Sequence, residues 1–256
     1  MIAEFLNNII LYPFFMTFVR LSGIFATAPF FNDKAVSKAH RLALAMTLAI
    51  AIAPVVSTYI PAIPGSVGLL VVIIAGEFLI GLLLGYSAKL FMLAFNFAGD
   101  FMAAMMGLQA ASQMDPRSGS NTTTLSTFLS LVALAAFLAL DLHLFILKAF
   151  VESYDIIGFN KAMDLGEVSL AIITTVGKIT VLGVKLAAPV VVVNFIINCS
   201  LGILNRLVPQ IQVFFISMPL TMLVGIFVLV LTMASMLILF TEEFENNLIL
   251  FAQTIE

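Results

Sequence analysis

Charge is scarce in this sequence. Only 10% of its 256 residues are Asp, Glu, Lys or Arg, while 62% are hydrophobic. Soluble domains carry about 25% charged and about 45–50% apolar residues. So little charge excludes a monomer covered by water; an apolar solvent or large apolar partners must cover much of the surface. The net charge of −3 lacks the basic footprint of a nucleic-acid binder. Cysteine is nearly absent: Cys199 stands alone, which excludes an intramolecular disulfide. Two histidines and one cysteine, far apart, offer no zinc-type ligand spacing. No G-x-S-x-G, P-loop or G-x-G-x-x-G fingerprint occurs, so the nucleophile and phosphate cradle of those enzymes are not expected. The composition points to a non-enzyme without a cofactor or metal. The opening "MIAEFLNN" has no basic n-region and carries Glu4, which reads against a cleaved secretory signal.

Long apolar runs are what the sequence does have. Residues 118–140, 186–205 and 207–241 are free of charge, as is 42–76, although Pro54, Pro61 and Pro64 interrupt it. About 20 apolar residues suffice to cross a bilayer as a helix. The runs show no strict alternation, which excludes regular strands. The pattern predicts an all-α, membrane-associated fold with helices over 5–31, 41–60, 67–108, 125–152, 167–205 and 211–240. A short acidic amphipathic helix in "TEEFENNLILFAQTIE" follows. Pro13, Pro29 and Pro219 predict bends, and Pro189 lies inside the fifth helix. A helix of about 40 residues is near 60 Å long, about twice the hydrocarbon core. The third and fifth helices must therefore bend, or leave the membrane and pack into a protein assembly. Lys34, Lys38 and Arg41 make the 32–41 link the most basic, and the positive-inside rule places it in the cytoplasm.

A polar and small-residue stripe runs along the third helix. At 100° per residue, Glu77, Gly81, Gly85, Ala88, Lys89, Asn96, Gly99, Asp100, Ala103 and Gly107 fall in a sector of roughly 140°. Gly81 and Gly85 form a GxxxG pair, which lets helix backbones approach closely. Glu77, Lys89 and Asp100 are costly in apolar surroundings unless paired, so they should face protein or water. An ordinary helix–helix seam, a seam between subunits and a conduit wall all fit. On the fifth helix, Lys178 and Lys185 lie near one face, and Asn194, Asn198 and Asn205 near the other. They read either as polar glue or as contacts with partners. Arg206, Pro209 and Gln210 of the break "RLVPQ" join the packing and seam candidates. Asp141 and His143, two apart on the fourth helix, do not share a face. His143 is expected to be buried and satisfied.

The stretch "MMGLQAASQMDPRSGSNTTT" (105–124) interrupts the apolar runs. Asp115 and Pro116 start a turn, and "SNTTT" supplies N-cap candidates for the fourth helix. A plain exposed loop fits the polar residues. Met105, Met106, Gly107, Leu108 and Met114 do not solvate a loop; flexible methionines suit a surface that closes around different shapes.

Four segments, "AGEFLIGLLLGY" (75–86), "MGLQAASQMDPRSGS" (106–120), "LALDLHLFILKAFVESY" (138–154) and "GILNRLVPQIQVFFISMPLTMLVG" (202–225), closely resemble the FliR family. So does "VRLSGIFATAPFF" (19–31) followed by Arg41. These are flagellar type III export-gate subunits, called SctT in injectisomes. The resemblance implies long bent helical hairpins built into a helical multi-subunit assembly around a pore. It implies a FliP-like part over 1–165 and a FliQ-like hairpin with the acidic tail over 166–256. Partners implied are FliP-type and FliQ-type subunits, an FlhB-type switch protein, an FlhA-type export protein, membrane lipid and unfolded export substrates. The location implied is the bacterial inner membrane in the flagellar basal body, with part of the gate on the periplasmic side. The loop matching 106–122 is implied to plug the pore, which singles out Met105, Met106, Gly107, Leu108, Gln109, Gln113, Met114, Asp115, Pro116 and Arg117. The alternative reading is a secondary transporter with Glu77, Lys89 and Asp100 along an intramembrane ion pathway.

Overall fold

The computed structural model describes residues 11–29, 37–61, 63–109, 123–159, 165–208 and 213–254. These residues form seven α-helices and no strand. They are α1 (Tyr12–Thr27), α2 (Lys38–Val56), α3 (Val67–Met105), α4 (Thr124–Ala139), α5 (Leu142–Ile156), α6 (Leu165–Leu207) and α7 (Val213–Thr254). The all-α expectation holds. Four helices are long and apolar enough to cross a membrane, and a fifth span results if α4 and α5 count together.

Local chemistry explains most boundaries. Pro13 sits in the first turn of α1, where a missing N–H costs nothing, and Pro29 lies beyond its end. Ser37 caps α2 by accepting from the His40 amide. α3 ends at Met105 rather than at 108. The Leu108 amide donates to the Ala103 carbonyl and the Gly107 amide to Ala104. Gly107, at φ +75°, supplies the left-handed residue that this Schellman closure needs. The predicted helix over 125–152 is two helices. Leu140 and Asp141 separate them, with Asp141 at φ 55°, a conformation that aspartate tolerates better than most residues. The Leu144 amide then donates to the Asp141 carbonyl to start α5. The acidic tail is not a separate helix, because α7 runs unbroken to Thr254. No Gly or Pro follows Gly225 in it, and Glu is a good helix former. Pro189 and Pro219 both lie inside continuous helices.

The chain makes two compact units, each discontinuous in sequence. The first comprises Met1–Leu90, Leu140–Val176 and Phe244–Glu256, and the second Phe91–Ala139 and Gly177–Glu243. In the first, α1 is buried on most sides by Met16, Leu21, Ile24 and Phe25. α2 buries only a narrow edge, Ala45, Ala49, Ala53 and Val56, recurring every three or four residues. In the second, Phe95 and Phe240 meet edge to face at 4.9 Å, and Gly183 lies against Phe97.

Candidate functional site

In the first unit, Glu77 of α3 is paired. The Arg20 Nε donates to Glu77 Oε2 at 2.6 Å, and Nη2 donates to Oε1 at 2.9 Å. A third donor, Nη1, reaches the Ser153 hydroxyl at 2.8 Å, which itself donates to the Phe150 carbonyl. The Tyr154 ring covers the guanidinium at 3.7 Å, a cation–π contact. Arg20 is fully buried and Glu77 is 2% exposed. A bidentate pair of this kind meets the condition on which buried charges are tolerated. Arg20, Ser153 and Tyr154 escaped the sequence reading, although Arg20 is the lone charge between Glu4 and Asp33.

Glycines let α1 and α3 come this close. A Cβ on Gly81 would overlap the Arg20 carbonyl, and one on Gly85 would lie 2.5 Å from the Ile24 carbonyl. Gly23 of α1 answers from the other side, with the Phe78 carbonyl 2.5 Å from where its Cβ would be. The GxxxG pair thus packs within the chain. Lys89, in contrast, is exposed.

In the second unit, the stripe faces α4. Asp100 Oδ1 accepts from the Thr123 amide at 3.2 Å and from its hydroxyl at 2.9 Å. Thr123 in turn accepts from the Ser126 amide, so Asp100 supports the cap of α4. Asn96 Oδ1 accepts from Ser126 and Ser130, and Gly99 abuts the Ser126 backbone. Met106 is fully buried and lies against Gly225 of α7, where an added Cβ would meet the Met106 side chain. Thr221 donates to the Met106 carbonyl at 3.4 Å, and Gly107 lies near Met218. Met105 and Leu108 are half-buried and Gln109 is exposed. Both ends of the 110–122 segment are therefore anchored, one at the Gly107 closure and one at Thr123. Of the loop candidates, Gln113, Met114, Asp115, Pro116 and Arg117 lie outside the described residues, as do Pro209 and Gln210.

The α6 candidates separate. Asn194 is fully buried beside Gly225. Its Nδ2 donates to the Val190 carbonyl, while Oδ1 has no partner among the described residues. Lys185 pairs with Glu243 at 3.0 Å on an exposed surface. Lys178, Asn198, Asn205 and Arg206 are exposed. His143 is half-buried rather than buried, and its Nδ1 has no hydrogen-bond partner among the described residues, in contrast to the satisfied histidine expected. Among the described residues no three His, Cys, Asp or Glu side chains gather as metal ligands. Glu77 is neutralised by Arg20, Lys89 is exposed, and Asp100 supports the cap of α4. The transporter alternative gains no support from them.

Residues 11–247 match the family described as "Bacterial export proteins, family 1". The chain is 31% identical over 236 residues to the flagellar biosynthetic protein FliR of Caulobacter vibrioides, covering 92% of this chain and 94% of that one. It is 32% identical to FliR of Pectobacterium carotovorum over 84% of this chain and 82% of that one. It is 31% identical to FliR of Escherichia coli K12 over 83% and 81%. The chain therefore belongs to the FliR family of bacterial export proteins, integral membrane components of the flagellar export apparatus.

Proposed function

We propose that this chain is a subunit of the flagellar protein-export gate and that its 106–122 segment plugs the central channel through which unfolded flagellar proteins pass. The observation that carries this reading is the double anchoring of the segment. Asp100 holds Thr123 at one end, and Met106, seated against Gly225 and Thr221, holds the other. Roughly a dozen residues have a contour of at most about 40 Å, enough to reach into a pore and return. Residues 1–165 act as the FliP-like part and 166–256 as the FliQ-like hairpin. α3, α6 and α7, of 39, 43 and 42 residues, are each about 60 Å long. That excess over a bilayer supports a gate standing partly on the periplasmic side of the basal body. Exposed apolar residues such as Val72, Ile173, Leu223 and Val230 supply surface for FliP-type, FliQ-type and FlhB-type neighbours. Deleting residues 109–120 should leave co-purification with partners unchanged and raise ion leakage through the gate. A deleted gate as tight as the intact one would sink the plug reading.

A further inference from the structure

We propose that Lys89 marks an interface on α3, where it pairs with an Asp or Glu carried by an apolar helix of a partner subunit. The inference rests on the reading of this chain as one subunit of a larger gate. Lys89 is exposed, and among the described residues it has neither a hydrogen bond nor an ion pair. The other two charges of α3 are occupied, Glu77 by Arg20 and Asp100 by Thr123. The exposed neighbours on the same face of α3 are apolar or aromatic. Leu79 and Tyr86, before Lys89, are each 41% exposed, and Leu93 and Phe97, after it, are each 43% exposed. Their spacing in steps of three, four and seven residues puts all of them in one stripe. Three surroundings can be compared for a cation in such a stripe. Hydrocarbon all round would enclose an unpaired ammonium, which is costly. A membrane boundary at Lys89 would leave Leu93 and Phe97 in water, beyond the bilayer. A protein surface that is apolar on both sides, with one carboxylate between, matches the whole stripe. Shielded from water by those side chains, the pair attracts more strongly than it would in solvent, and it fixes the register of the two helices.

The full chain, purified with its partners, is treated with a carbodiimide, which joins an amine to a carboxylate in contact with it. Peptide mass spectrometry then locates Lys89. The expected product is an isopeptide bond from Lys89 to one Asp or Glu of a partner chain. Acetylation of Lys89 by a water-soluble ester should be roughly tenfold slower in the complex than in the isolated chain in detergent, by the fraction of time the interface opens. Lys89→Glu should weaken the complex about thirtyfold or more, and replacing the cross-linked acid by lysine should restore it. Circular dichroism of the Lys89→Glu chain, expected to match the parent, separates lost pairing from lost folding. A carbodiimide product confined to this chain, no product at Lys89, or equal acetylation rates in an intact complex would overturn the inference and leave the gate reading standing. A chain that purifies without any partner would overturn both.

Discussion

Arg20 of α1 ties α3 and α5 together within the first unit. Its Nε and Nη2 donate to Glu77, its Nη1 donates to Ser153, and its flat face lies over Tyr154. Removing either charge leaves the other buried and unpaired, a loss of about 3–5 kcal/mol. Removing both leaves only a packing problem. We therefore expect Arg20→Ala and Glu77→Ala each to lower the thermal midpoint and the membrane level of the full chain sharply. The double variant Arg20→Met/Glu77→Leu should recover most of the loss. Melting curves in detergent with partners present check this. Single variants that melt like the parent would remove the pair from any structural role.

At the scale of elements, α3 is two seams in sequence. Its early glycines admit the backbone of α1, and its later Asn96, Gly99 and Asp100 receive α4. Asp100 satisfies the amide at the start of α4 through Thr123. Loss of such a cap costs about 1 kcal/mol, or roughly fivefold in local opening. In Asp100→Ala, amide hydrogen exchange should quicken about fivefold over residues 123–127 while α1 and α5 keep their protection. Unchanged exchange there would mean that Thr123 alone holds the helix end.

At the scale of the whole molecule, burial inside the chain leaves long apolar faces uncovered. On α6, Phe195, Ile196 and Ile203 are 60%, 58% and 64% exposed, with Cys199 exposed among them. A subunit of a larger gate presents such a face to its neighbours. As the only cysteine of the chain, Cys199 should react readily with a maleimide in the isolated chain in detergent. In the purified complex with partners it should react at least tenfold more slowly, by the fraction of time such an interface opens. Equal rates would turn that face toward lipid.

Much was legible in the sequence because membranes impose simple rules. Scarce charge and long apolar runs determined the helices, the membrane and the excess length of α3 and α6. The GxxxG stripe declared that a backbone would come close, and Glu77 that a partner must exist. The sequence by itself could not say which partner, because Arg20 lies 57 residues away from Glu77 and periodicity carries no information between helices. It also could not separate α4 from α5, since the break rests on one left-handed aspartate rather than on Gly or Pro. Tertiary structure decided those matters. Only packing reveals that the stripe splits between α1 and α4, that Gly107 ends a helix rather than lining a seam, and that Met106 needs the space left by Gly225.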